Sequence, residues 1–306
     1  MRVAYLIVSH RNPDQVLRLV RVLNEGPAAR VLVRHDQSGS PLPAAAIEQA
    51  GGTVLEGKTS FEWGGWSQLR AMLRLLELAR EAADPDWLLV VSGQDYPLRP
   101  LADIERDLAA GEHDALLGDA WELELDRLPP PPQDEFFLRY AYRHYPAPRR
   151  APRLPGRLRP LAYLRERPPP LRPLVGVRRL RTPFDGDSRC FVSADWLTLR
   201  RPALDAVLDV ARHDRRLRRF YRRSWIPTES FFATVLLNHP SLRVARQNRR
   251  FLSFPGPLTP HPETLTSADI ERLAASGCDF ARKFDADLDA EVLDLLDQRR
   301  RSATPR

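Results

Sequence analysis

Trp87-Leu-Leu-Val-Val91, running directly into Ser92-Gly-Gln-Asp95, is the most strand-like stretch of the chain. An unbroken apolar run of this length reads as a buried strand, and the small and polar residues after it as the loop at its carboxyl end. Two similar runs lie upstream, Val3-Ala-Tyr-Leu-Ile-Val8 and Arg30-Val-Leu-Val-Arg-His-Asp36. Between them Val16, Leu19, Val20 and Leu23 recur at the helical period, with Asp14 placed to cap. Gly51-Gly-Thr-Val-Leu-Glu56 is a shorter strand, and Leu69, Met72, Leu73, Leu76 and Ala79 mark an amphipathic helix ending near residue 83. Strand alternating with helix predicts an α/β fold, a mostly parallel sheet covered by helices. Ligands of open α/β sheets lie outside the carboxyl ends of the strands. Ser9, His10, Asp36 and Asp95 fall at such ends.

Composition bounds the rest. The 306 residues suffice for one large domain or two small ones, and 43% hydrophobic content is enough for a substantial core. No apolar run approaches the roughly 20 residues of a membrane helix. The amino terminus enters a strand directly, which does not read as a signal peptide. Cys190 and Cys278 make neither a disulfide framework nor a Cys-x-x-Cys pair. A cytoplasmic protein is the simplest expectation. Net charge of +7 and a pI near 9.9 suit an anionic partner: nucleic acid, phospholipid surface or phosphorylated small molecule.

Two stretches interrupt the alternation. Residues 128–183 hold fourteen of the 29 prolines, interleaved with arginines. That composition predicts an extended, loop-like insertion, either an inert surface segment or a loop that shapes a cleft over its acceptor side, docked at its start by Phe136, Phe137, Tyr140, Tyr142 and Tyr145. A helix over 202–223 ends in a dense basic run, either a solvated face or a contact for acidic membrane or nucleic acid. Residues 298–306 read as a flexible basic tail after a single domain over 1–297.

Trp225-Ile-Pro-Thr-Glu-Ser-Phe-Phe-Ala-Thr-Val-Leu-Leu-Asn-His239-Pro240 reads as a short helix with a carboxylate at its mouth. Thr228 can cap it, Glu229 falls in the first turn, and Pro240 stops it. The positive end of the helix dipole favours an ionised carboxylate there, as a general base requires, although acidic residues are common in first turns generally.

Pro227-Thr-Glu-Ser-Phe-Phe-Ala-Thr-Val-Leu resembles the Pro-x-Glu-Ser-Phe-Phe-x-Thr-x-Leu segment of the core-2/I-branching β-1,6-N-acetylglucosaminyltransferase and peptide O-xylosyltransferase family, glycosyltransferase family 14, here in a bacterial-type soluble form. Phe280-Ala-Arg-Lys-Phe resembles its diphosphate-binding segment, and Asn248-Arg-Arg-Phe-Leu-Ser-Phe254 a strand whose arginine falls on Arg250. Trp63-Gly-Gly-Trp-Ser67, Ser92-Gly-Gln-Asp-Tyr-Pro-Leu98, Val33-Arg-His-Asp36 and Phe184-Asp-Gly-Asp-Ser-Arg-Cys-Phe-Val-Ser193 resemble further family segments in the same order. The resemblance spans about 3–127 and 184–290.

It implies a GT-A-like fold and an inverting, metal-independent transfer of xylose or N-acetylglucosamine from a UDP-sugar to an acceptor hydroxyl. Glu229 is then the base. Arg282 and Lys283, with Arg250, hold the diphosphate. Ser9, His10 and Asp36 hold uridine, Asp95 contacts donor sugar or acceptor, and Trp63, Trp66 and Ser188 belong to the acceptor or donor pocket. No cofactor or metal is expected. Asp84-Pro-Asp86 and Asp185-Gly-Asp187 precede strands instead of ending them, and the histidines lack ligand spacing. The implied acceptor is a glycan, a lipid-linked glycan or a small molecule. Nucleic acid is not expected, and helix 202–223 offers a peripheral membrane contact. The competing reading is a non-catalytic basic module that binds nucleic acid or acidic lipid.

Overall fold

A computed structural model describes residues 1–303 except 37–39, 57–61, 127–133, 151–157, 159, 168–170, 195 and 257–260. The central sheet has seven strands, in the order Val244–Ala245, Ala115–Leu116, Thr198–Arg200, Trp87–Ser92, Val3–Ser9, Ala29–His35, Gly52–Val54. Val3–Ser9 runs parallel to both Ala29–His35 and Trp87–Ser92, and Gly52–Val54 extends the parallel half. Thr198–Arg200 pairs antiparallel with Trp87–Ser92.

Strand alternation divides the core into two layers. Ala4, Leu6, Leu88 and Val90 face one way, onto helices Trp66–Ala83, Arg201–His213 and Thr228–Leu237. Val3, Tyr5, Ile7, Leu89 and Val91 face the other way, onto Pro13–Leu23, Leu101–Ala110 and Glu291–Ala303. Both faces are therefore covered, and the apolar runs read from the sequence are continuous for that reason. The expected mixed α/β architecture is the one observed.

Local expectations need four corrections. Asn12, in the left-handed region at φ 49°, precedes the first helix with Pro13 at its first position; Asp14 lies inside it. The single helix expected over 202–223 is two, Arg201–His213 and Arg215–Tyr221, broken at Asp214, whose carboxylate accepts from the Leu217 amide at 2.8 Å. The tail expected from residue 298 continues Glu291–Ala303, because the Arg300 side chain is buried between Glu25 (2.6 Å) and Asp297 (2.5 Å).

The fourth correction concerns 128–183. Its described part holds a helix, Glu135–Ala141, and a three-stranded antiparallel sheet, Tyr142–Pro146, Leu174–Arg178 and Ala162–Arg165. Phe137, Tyr140 and Tyr142 are buried in the main core. Proline-rich composition hid strands that pack around one another: a Cβ on Gly176 would meet the Tyr163 ring at 2.3 Å, so only glycine admits that ring.

His144, on the inner face of this sheet, has Nε2 on the Tyr163 hydroxyl at 2.8 Å. Burial lowers its pKa to about 3, against an ordinary value of 6.5. The unfolded chain therefore binds a proton that the fold refuses between those values. The stability held by neutral His144 is complete above pH 6.5 and falls by about 1.4 kcal/mol per pH unit as pH drops toward 3. Urea unfolding at pH 7 and pH 4.5 is expected to show this loss, and His144→Gln to flatten it. An equal loss in the variant would place the sensitivity elsewhere.

Candidate active site

Glu229 lies in the first turn of Thr228–Leu237. The inner side of that helix is fastened by two hydroxyls one turn apart. Ser230 Oγ donates to the Phe191 carbonyl at 2.7 Å, and Thr234 Oγ1 both donates to that carbonyl (3.2 Å) and accepts from the Phe191 amide (3.0 Å). Tyr221 donates to Thr234 from below at 2.9 Å. The Ser193 amide donates to the Glu229 carbonyl at 2.8 Å. The helix is thus clamped to strand Phe191–Val192, which fixes where Glu229 points. Thr228 does not cap it: Pro227 takes that position, and the Thr228 hydroxyl is buried without a partner among the described residues.

The Glu229 carboxylate, half-buried, is ion-paired to Arg139. Arg139 also reaches Glu135 at 3.2 Å and lies over the Trp225 ring at 5.3 Å. Arg165 pairs with the same Glu135 and stacks on Trp225 at 3.3 Å. Trp63 meets Trp225 edge-on at 6.1 Å, and the Ile226 amide donates to the Gly64 carbonyl at 2.8 Å. The 128–183 segment therefore supplies the cations around Glu229, and the Trp-Gly-Gly turn forms the adjoining wall. Sequence reading missed Arg139, Arg165, Glu135 and Trp225. The available signal was the aromatic cluster beginning at Phe136, which marked the segment as docked.

A second constellation forms on the small sheet Arg250–Leu252, Phe280–Arg282, Asp95–Pro97. The register places Arg282 opposite Asp95. Asp95, 1% exposed, accepts from Arg282 at 3.0 Å, from Arg250 at 3.1 Å and from the Ser92 amide at 2.9 Å. Burial pulls the Arg250 pKa down while Asp95 opposes it. Trp196 covers both guanidinium groups, Arg282 at 4.8 Å and Arg250 at 5.4 Å. Asp95 is thus held as an internal counter-charge, and Arg250 as a buried strut between it and the Val90 carbonyl. Arg282 keeps partial exposure. Lys283 is half-buried, and no hydrogen bond or ion pair of its ammonium occurs among the described residues. It is one of only two lysines, with Lys58, among 47 basic residues, a signal the composition offered.

The two constellations are linked through a short chain. The Ser193 amide touches the Glu229 carbonyl and Trp196 touches Arg282, so three Cα–Cα steps, at most about 11 Å of chain, separate these contacts.

Ser9 and His35 end neighbouring parallel strands. The Ser9 hydroxyl meets His35 Nδ1 at 2.8 Å, and His35 Nε2 meets the Ser40 carbonyl at 2.7 Å, so Ser9 shapes the loop. The Asp36 amide donates to the Ser9 carbonyl at 2.8 Å. His10 is exposed beside them. Burial, then Arg11 and Arg282, lower its pKa, and Asp36 opposes. His10, Asp36 and Arg282 therefore share one electrostatic neighbourhood. Trp66 and Ser188 are elsewhere. Trp66 lines a cleft of about 470 Å³ with Arg70 and Arg218. Ser188 lines another of about 390 Å³, next to Arg189, which bonds Asn238 at the far end of the Glu229 helix. Asp185 pairs with Arg216 at 2.5 Å. No three His, Cys, Asp or Glu side chains converge as a metal-ligand group among the described residues.

No protein-family model matches the chain. It is similar to Beta-glucuronosyltransferase GlcAT14A of Arabidopsis thaliana, 27% identical over 230 residues, 72% of this chain and 44% of that protein. Beta-glucuronosyltransferase GlcAT14B of the same plant shows the same identity over 45% of its length. The chain spans less than half the length of these relatives. Among solved structures, it aligns with a 2-C-methyl-D-erythritol 4-phosphate cytidylyltransferase of Thermus thermophilus at TM-score 0.33 and 16% identity, over 90% of this chain and 99% of that one. A putative glucose-1-phosphate thymidylyltransferase of Bacillus anthracis aligns at TM-score 0.31 and 8% identity, over 69% of this chain and 78% of that one.

Proposed function

We propose that the chain is a GT-A-type inverting glycosyltransferase of family 14 that moves a sugar from a UDP donor to an acceptor hydroxyl. The observation that carries this reading is the Arg139-held carboxylate of Glu229, whose backbone carbonyl bonds the Ser193 amide three positions before Trp196, the ring over Arg282 beside Lys283. The similarity to two named glucuronosyltransferases supports the reaction class.

In this reading Glu229 takes the proton of the acceptor hydroxyl. The freed oxygen pair bonds to the anomeric carbon from the side opposite the diphosphate, the carbon–phosphate-oxygen bond breaks, and UDP leaves with that electron pair. The new linkage is β. Arg282 and Lys283 neutralise the charge growing on the diphosphate, with Arg282 aimed by Asp95. His10 and Asp36 border the nucleoside end. Catalysis needs no metal because these fixed cations sit where the leaving group gathers charge. The donor sugar is xylose or N-acetylglucosamine by the motif resemblance, and the relatives' names add glucuronic acid. The acceptor is a glycan, a lipid-linked glycan or a small molecule.

The test is UDP release in EDTA from UDP-xylose, UDP-N-acetylglucosamine and UDP-glucuronic acid. Release from one donor, stimulated by an acceptor sugar, is expected. Release from none of them, with or without Mn²⁺, would sink the transferase reading.

A further inference from the structure

The three-stranded sheet built by the 128–183 segment has two unlike faces. Its inner face carries His144, Tyr163 and Arg165, turned toward the body of the molecule and the Glu229 site. Its outer face takes the alternate residues, and cross-strand register sets Val177 opposite Arg143 and Ala162, and Tyr145 opposite Val175. Val177 is 41% exposed and Tyr145 37%. At the same edge the Arg178 amide donates to the Leu161 carbonyl at 2.8 Å, and Leu161 is 62% exposed.

Leu180 is 94% exposed. Its place is fixed from both sides: Arg179 donates to the Phe220 carbonyl at 2.9 Å, and Arg216 to the Thr182 carbonyl at 3.3 Å. Its backbone is therefore held beside helix Arg215–Tyr221, with the side chain projecting into solvent. Large apolar side chains grouped this way mark a contact surface, whereas single ones do not.

The residues around them are basic. Some exposed arginines elsewhere are paired, as Arg212 is to Glu77 at 3.0 Å and Arg2 to Asp84 at 2.5 Å. Arg143, Arg215, Arg219 and Arg222 are exposed, and no ion pair or side-chain hydrogen bond of theirs occurs among the described residues. Arg223 lies over the Tyr145 ring at 4.7 Å. Arg143 thus stands opposite Val177 in register, and the Leu180 segment is held beside the basic helix Arg215–Tyr221.

We infer that this face docks on an anionic phospholipid bilayer. The arginines bind phosphate headgroups, and Leu161, Val177 and Leu180 enter the headgroup–acyl boundary. A nucleic acid would use the cations but gives aliphatic side chains nothing to bury against. The inner face of the same sheet stacks Arg165 on Trp225, so the docked surface lies one sheet away from Glu229. That the acceptor is then a membrane-held glycan rests on the transferase reading; the docking itself does not.

The test is co-sedimentation of the full chain with phosphatidylcholine vesicles, with and without phosphatidylglycerol. Binding only to the anionic vesicles is expected. The Leu161→Ser, Val177→Ser, Leu180→Ser triple variant and the Arg219→Ser, Arg222→Ser double variant should each weaken it about tenfold or more. All five positions are solvent-facing, and unchanged circular dichroism checks the fold. No binding to anionic vesicles overturns the proposal, as does binding that the triple variant leaves intact or preference for single-stranded RNA over vesicles at equal salt. The assay contains no sugar donor, so its failure is separate from failure of the transfer reaction.

Discussion

A Glu229→Gln protein is expected to fold and to bind UDP as the wild type does, and to transfer sugar about 10²–10⁴ times more slowly. The amide keeps the shape and one accepting oxygen but cannot take the acceptor proton. The helix should survive the change, since Ser230, Thr234 and the Glu229 backbone carbonyl hold it, not the carboxylate. A structural cost is the lost ion pair with Arg139, which keeps Glu135 as a second partner. Single-turnover kinetics on the donor that releases UDP would check this. Wild-type turnover by the Gln variant would remove Glu229 as base. A parallel fall in UDP affinity would show that the substitution disturbs the site as a whole.

Asp95→Ala is expected to destabilise the fold by about 3–5 kcal/mol, the usual cost of stripping one partner from a buried ion pair. Arg250 is 3% exposed and would keep the Val90 carbonyl, at 2.8 Å, but lose its paired carboxylate, with only the coulombic influence of Asp279 left. Arg282 would lose the carboxylate that aims it, so UDP binding should weaken in the protein that remains folded. Asp95→Asn keeps acceptor geometry without the charge and should fall between. Urea unfolding at pH 7 measures both. A loss below about 1 kcal/mol for Asp95→Ala would mean that water or another acid takes over the charge, and that Asp95 is not what holds the arginine pair.

The parallel half of the sheet was legible because its strands are buried on both faces, which leaves unbroken runs such as Trp87-Leu-Leu-Val-Val91. Glu229, Arg282 and Lys283 were singled out as candidates because each sits in a local motif. What the sequence concealed was long-range. Asp95 and Arg250 looked like ligand contacts, and only the register between Asp95–Pro97 and Phe280–Arg282 shows that they neutralise each other. Ser188 and Trp66 lie beside site motifs in sequence, yet the chain carries them into separate clefts. Arg139 was hidden for another reason. Proline and arginine dominate 128–183, and composition gives no account of a short sheet whose strands pair across intervening loops.

Calorimetric titration of UDP into the wild-type chain and Lys283→Ala, both in EDTA, tests the central claim most directly. The expected result is binding by the wild type without metal and a loss of at least about tenfold in the variant, since one well-placed charge-assisted contact is worth about 1.5–3 kcal/mol. Equal affinities would remove Lys283 from the diphosphate site. Absence of wild-type binding in EDTA, restored by Mn²⁺, would contradict the claim that the arginine–lysine pair does the work of a metal.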